Sequence, residues 1–332
     1  MRVTPECDTI DSVAVCNFAD SQFGPSVVFD GLNYIVVWSD RRFNGANWWV
    51  TAARVSPEGA RLDTGVPVGG CDAHNEYYPD IAYDGARCLV VWYHSYYPPY
   101  GIYARFVSHS AQPEDTVLVI SPALTHLYNV AKVAFGVDRY LVVWADQHSG
   151  GTDYDILGQM VSPAGELLGS RILIAPGASD QTRPDVEFVG SEFLVVWVEA
   201  GRILGQQVDQ QGQLVGGPFA VSETTANARD YPRLSSQGNQ YLAVWYETRS
   251  SAADIYCRLG TLPGIAEQAA PRVRKPRQYE PSLLTSFPAL PVGAKLRIYD
   301  CSGRPQRIGP TATGIYFLVD GSHVAKRIYL GR

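Results

Sequence analysis

Asp40, His94, Asp146, Glu199 and Glu247 each stand two residues after a tryptophan that ends an apolar run. The runs are NYIVVWSD (33–40), RCLVVWYH (87–94), RYLVVWAD (139–146), EFLVVWVE (192–199) and QYLAVWYE (240–247). Strand polarity sets all five polar residues at one end of their elements. The adjoining loops bring Tyr77, Tyr78, His126, Tyr128, Arg183 and Tyr231 to that end. A rim of acids with aromatics between them suits sugar hydroxyls and sugar faces, so Asp40, His94, Asp146, Glu199, Glu247, Tyr77, Tyr78, Tyr128 and Tyr231 form a candidate ligand face. A second job fits the same acids, since a carboxylate at a strand end can cap the neighbouring turn.

The elements that hold these residues recur. Successive tryptophans (Trp38, Trp92, Trp144, Trp197, Trp245) are separated by 54, 52, 53 and 48 residues, a period that signals a repeat architecture. Each unit opens with a short strand: PSVVFDG (25–31), PDIAYDG (79–85), AKVAFGV (131–137), PDVEFVG (184–190) and PRLSSQG (232–238). The tryptophan strand follows, then a polar loop and a third strand. In the first four units a fourth apolar stretch ends the repeat: GVPVGG, TVLVIS, RILIA and PFAVS. Four short strands punctuated by Gly, Pro and Asp describe a propeller blade, and no unit has the 3.6-residue period of a helical solenoid. The expected fold is all-β, a five-bladed β-propeller over residues 10–260. The tryptophans act as wedges between stacked blades, a core role in preference to ligand contact. The fifth unit ends at Leu259-Gly260 without a fourth strand. SVAVCNFADSQFGPSVVFDG (12–31) begins as RILIAPGASDQTRPDVEFVG (171–190) does, so the N-terminal strand, Ser12–Asn17, is expected to complete the last blade and close the ring.

In a ring of this kind the first strands line the axis. Glycoside hydrolysis needs two carboxylates roughly 5 to 9 Å apart about one bond. Five-bladed propellers include glycoside hydrolases, and their acids come mainly from first strands. Here the first strands carry Asp80, Asp185 and Glu187. Asp80 and Asp185 occupy equivalent places, which suggests a structural role. Glu187 stands where the other units have Val28, Ala82, Ala134 and Ser235, making it the leading catalytic candidate, with Asp80 as its partner.

Composition narrows the field of functions. Of 332 residues, 18% are charged and 11% aromatic, with 31 Gly and 22 Pro against 2 Met, a mixture that favours sheet and turn. The net charge of −6 divides unevenly: from Thr261 onward there are 11 Lys and Arg against 4 Asp and Glu, leaving 16 against 29 before it. An acidic body argues against nucleic-acid binding, and PRVRKPRQ (271–278) reads as a solvated linker. No apolar run reaches the roughly 20 residues of a membrane span, and MRVTPECDTI lacks the order of a signal peptide. GxSxG, HExxH and GxxxxGK[ST] do not occur.

Residues 261–294 read as a Pro- and Ala-rich linker into the tail, and 295–332 as a small β-sandwich-like module. LRIYDCSGR (296–304), GIYFLVDG (314–321) and KRIYL (326–330) resemble the C-terminal sorting domain of the type IX secretion system. The matching residues are Ile298, Tyr299, Asp300, Gly303, Arg304, Gly314, Tyr316, Leu318, Lys326 and Arg327. That resemblance implies export across an outer membrane by the type IX machinery and a secreted or surface location. YEPS (279–282) departs from the Tyr-Pro-Asn-Pro opening common in that family. Residues 12–260 are similar to repeats of secreted bacterial proteins, a likeness that carries architecture but little function.

The loop DQHSGGTDYD (146–155) gathers Asp146, Asp153 and Asp155, oxygen ligands suited to Ca²⁺ but without the spacing of a known calcium loop; a solvated turn is the simpler reading. Six cysteines include no CxxC pair, which argues against zinc. Cys16 and Cys257 are a candidate disulfide across the ring closure, with Cys7–Cys16 as the rival. The function expected from these features is a non-catalytic binding or scaffold propeller with a glycan or protein ligand. The alternatives are a glycoside hydrolase or lyase at the axis, and a purely structural surface component.

Overall fold

The computed structural model describes residues 2–3, 9–43, 45–70, 75–95, 100–122, 130–147, 153–223, 227–249 and 252–262, and in the C-terminal part 283–284, 296–300, 305–306, 314–320 and 323–329. The chain forms two compact units, Met1–Ile265 and Ala266–Arg332.

The first unit is an all-β, five-bladed β-propeller. Blade one comprises Gln22–Phe29, Tyr34–Asp40, Trp49–Val55 and Val66–Pro67; blade two Asn75–Tyr83, Cys88–Ser95, Gly101–Val107 and Pro113–Pro122. Blade three comprises Lys132–Phe135, Tyr140–Gln147, Tyr154–Val161 and Leu167–Ala175; blade four Gln181–Val189, Glu192–Glu199, Arg202–Val208 and Leu214–Ala220. Each is an antiparallel meander in chain order. Blade five has three strands among the described residues, Ala228–Gln237, Gln240–Arg249 and Ala252–Thr261.

Alternation along the second strands explains the stacking. In blade three Tyr140, Val142 and Trp144 pack toward blade two, while Leu141, Val143 and Ala145 pack toward blade four. The strand is apolar on both faces because both are interfaces. All five repeat tryptophans are buried, as the repeat reading requires. Burying one such side chain contributes about 3 kcal/mol, the upper end for large apolar groups.

Apolar clusters join blades one and two, two and three, three and four, and four and five. No such cluster joins blade five to blade one among the described residues, and their first strands lack the side-by-side packing seen at the other four junctions. Ser12–Asn17, expected to close the ring, form no strand in this structure. Cys16 and Cys257 are both free thiols, Cys16 lying 3.8 Å from Asp40 Oδ2, so the expected disulfide is absent; Cys7 lies outside the described residues.

In the second unit the described strands form one sheet in the order Leu283–Leu284, His323–Tyr329, Gly314–Asp320, Leu296–Asp300, Pro305–Gln306. No helix of the described residues is long and apolar enough to cross a membrane.

Candidate active site at the propeller axis

The first strands of blades one, two, four and five each hold one extra residue next to their proline, a β-bulge marked by register shifts at Phe23/Ser26, Tyr77/Asp80, Thr182/Asp185 and Asp230/Arg233. The residue before each proline is left-handed: Gly24 at φ 63°, Tyr78 at 51°, Arg183 at 54° and Tyr231 at 53°. Bulky residues rarely accept this conformation, and it concentrates at functional sites. Gly24 is required on two counts, because an added Cβ would also lie 3.2 Å from the Tyr78 ring.

The bulges turn these residues toward a cavity of about 600 Å³ on the axis, lined from all five first strands and by Tyr154. Tyr78 and Tyr231 are exposed at its mouth. Arg183 pairs with Asp230 at 2.5 Å and lies 3.9 Å over the Tyr231 ring. Phe23 meets Trp48 edge-on at 4.6 Å and Tyr78 at 5.1 Å, extending the aromatic surface across blades one and two.

Below the mouth the residue after each proline position forms a second layer: Ser26, Asp80, Lys132, Asp185 and Arg233. Asp80 accepts hydrogen bonds from Ser26 Oγ (2.7 Å), Lys132 Nζ (3.3 Å) and Val133 N (3.1 Å), tying three blades together. Asp185 accepts from Leu234 N of blade five at 2.7 Å. Both aspartates thus bond from one blade to the next. Two residues further along blade four, on the same face, Glu187 accepts from Ser236 Oγ at 3.0 Å.

Burial dominates the electrostatics. It pushes the Asp185 carboxyl up to about 6 despite Lys132 and Arg233, with Asp80 adding to the rise. It pushes Glu187 up to about 7 against the Ser236 hydrogen bond, with Asp185 and Asp80 again adding. A carboxyl held near 7 beside ionisable neighbours in a cleft is suited to donate a proton at neutral pH.

Three of the acids after the tryptophans accept from the indole two residues back, and Asp40 also caps the following turn as expected, accepting from Arg42 N at 3.0 Å. Trp38 Nε1 donates to Asp40 (2.8 Å), Trp197 to Glu199 (3.3 Å) and Trp245 to Glu247 (3.1 Å). Asp40 and Glu247 are buried, and Glu247 is paired with Arg229 at 3.0 Å where both are 1% exposed. All three accept from the indoles, and Asp40 and Glu247 are thereby held in the core, whereas Glu199 stays part-exposed. Asp146 is buried too, and His94 packs on Tyr103 at 4.6 Å. Tyr77 packs among Phe23, Tyr78 and Tyr93, and its phenol is raised by burial. His126 and Tyr128 lie outside the described residues, as do 148–152 of the calcium candidate loop. Asp155 accepts from Gly177 N at 3.2 Å, and no group of three or more candidate metal ligands occurs among the described residues.

Sequence reasoning missed Lys132, Arg233 and Tyr154. The first two stand in the repeat column of Asp80 and Asp185, whose alternation of sign was the available signal.

No family model matches the chain, and no curated protein matches it. Among solved structures it is similar to the polysaccharide lyase Uly1 (8% identity, TM-score 0.49, 69% of this chain and 56% of that one). It is also similar to a GH43 endo-arabinanase from Bacillus licheniformis (11%, 0.42, 86% and 96%) and to an endo-arabinase from Bacteroides thetaiotaomicron (9%, 0.46, 73% and 94%). The chain thus spans little more than half the length of the lyase. Identities this low bear on fold alone. The expectation of a non-catalytic binding or scaffold propeller gives way to a catalytic reading, whose support is this chain's own carboxyls: Asp185, buried, and Glu187, part-buried, both pushed up by burial.

Proposed function

We propose that this protein cleaves a polysaccharide at the propeller axis, as a glycoside hydrolase with Glu187 as proton donor and Asp80 as the opposing carboxylate. The observation that carries the reading is Glu187 itself. It replaces small residues of the other blades, lies on a first strand two residues from Asp185 and is held near 7 by burial, with Asp185 adding to the rise. Asp80 stands on the first strand of blade two, paired with Lys132, which lines the cavity. Two carboxyls on different blades can flank one glycosidic bond, as two neighbours on one strand do less well. Glu187 would give its proton to the departing oxygen as the glycosidic C–O bond breaks, while Asp80 takes a proton from the water that bonds to the anomeric carbon. Asp185 would keep Glu187 protonated until that moment. Tyr78, Tyr154 and Tyr231 offer ring faces on which flanking sugars can stack.

The same reading takes 10–260 as the catalytic propeller, 261–294 as linker and 295–332 as the tail. The tail's resemblance to a type IX sorting domain supports action at the cell surface or outside the cell. The test is a panel of neutral and acidic polysaccharides incubated with wild type and Glu187→Gln, with new reducing ends as readout. Cleavage by wild type that falls at least a hundredfold in the variant supports the reading; equal cleavage by both refutes the assignment of Glu187.

A further inference from the structure

The charges around the axial cavity run against those of the rest of the propeller. Before Thr261 the chain carries 16 Lys and Arg against 29 Asp and Glu. Among the described residues, however, the cavity lining holds Lys132, Arg183 and Arg233 and no Asp or Glu. A lining drawn at random from so acidic a body would hold more acids than bases, so the reversed sign needs a cause.

The three cations differ in what already answers them. Lys132 Nζ lies 3.3 Å from Asp80. Arg183 pairs through Nε with Asp230 and lies 3.9 Å over the Tyr231 ring, contacts that hold its guanidinium in one orientation. Arg233 is exposed and has no ion pair among the described residues; its Nη1 donates to the Pro232 carbonyl at 2.8 Å. It acts on the buried Asp185 through its charge alone. A guanidinium carries five N–H donors in a planar fork that matches a carboxylate or a sulfate, and one carbonyl uses only one of them. Tyr78, Tyr154 and Tyr231 stand among these cations in the lining. A ring can take the face of a sugar while a neighbouring guanidinium takes an acidic group on it. A neutral sugar gives the cations nothing to neutralise.

We infer that the axial cavity recognises an acidic polysaccharide, one whose sugars bear a carboxylate or a sulfate ester, with Arg233 as the principal contact to that group. This rests on the reading of the cavity as the place of cleavage and narrows the substrate class there. The cations also offset the repulsion that Asp80 and Asp185 would exert on an anionic chain. At about 600 Å³ the cavity lies within the roughly 300–1,000 Å³ of small-ligand sites, so it takes a short stretch of the polymer. The acidic surface outside it repels polyanions in general, which confines recognition to the cavity.

The experiment is calorimetric titration of the full chain carrying Glu187→Gln with two matched pairs of polymers. One pair is polygalacturonate and its full methyl ester; the other is dextran sulfate and dextran. The expected result is tighter binding of an acidic polymer than of its neutral partner, weakening as NaCl is added. Adding Arg233→Gln should cost about tenfold in that affinity. The pair that responds tells carboxylate from sulfate. Equal binding within both pairs, no binding of either acidic polymer, or an affinity unmoved by Arg233→Gln overturns the inference. The matched pairs and the salt series need no change at Arg233, so they decide even where that variant misfolds. New reducing ends, measured on the unaltered protein, separate this inference from the hydrolase reading. Acid-dependent binding without cleavage keeps the inference and removes hydrolysis, whereas Glu187-dependent cleavage of neutral polymers alone keeps hydrolysis and overturns the inference.

Discussion

Replacing Glu187 with Gln should do two opposite things, and only a buried functional carboxyl does both. Holding the carboxyl at about 7 against its ordinary 4.5 makes the ionised form about 3 kcal/mol worse inside the fold than in the unfolded chain. Because the folded value is raised, the native state binds the extra proton. Stability from this group is at its full value below about 4.5 and falls as pH rises through about 7. Gln mimics the protonated form, keeps an acceptor for Ser236 and cannot ionise. At pH 5 the variant and wild type should therefore melt together. At pH 8 the variant should be more stable by about 2 kcal/mol, after roughly 1 kcal/mol for an amide N–H without a partner. For a unit of this size that is a rise in Tm of several degrees. Paired urea titrations at pH 5 and 8 measure it, and the polysaccharide assay on the same samples should show at least a hundredfold loss. A variant that is less stable at pH 8 than at pH 5, relative to wild type, would refute the burial argument and with it the reason for assigning Glu187.

Other outcomes follow from the same contacts. Asp185→Asn should move the alkaline limb of the pH–activity profile to lower pH, because the neighbouring charge that helps hold Glu187 protonated is gone; an unmoved limb would detach Asp185 from the site. Asp80→Asn should abolish cleavage and loosen the first strands of blades one to three, so its thermal melt must be read beside its activity. Glu247→Ala should cost about 3–5 kcal/mol, since Arg229 would be left as a buried cation and the Trp245 indole without its acceptor; a ligand-face acid would leave the melt unchanged. Trp144→Ala, a cavity at the junction of blades two and three, should cost about 3–5 kcal/mol in the same titrations.

The sequence by itself determined the blades. Strand type follows from local alternation, and five copies of LVVW at a near-constant period can be satisfied only by stacking each copy on the next. That is why the burial of Trp38, Trp92, Trp144, Trp197 and Trp245 was legible before any coordinate. Glu187 stood out in the sequence for a related reason: in a column of Val, Ala, Ala and Ser, a carboxyl breaks the repeat.

Tertiary structure decided what those carboxyls touch. Asp40, Glu199 and Glu247 sit at strand ends, where spacing alone suits ligand and turn; in the fold each accepts from the indole two residues back, and Asp40 caps the turn at Arg42 N as well. The left-handed bulges that aim Tyr78, Arg183 and Tyr231 at the axis depend on cross-strand register, which the residue order does not state. Cys16 and Cys257 are both free thiols, with Cys16 set against Asp40 of blade one, a placement the spacing of the cysteines does not state. Periodicity is a property of the chain; which groups meet across the axis depends on how the sheets are stacked.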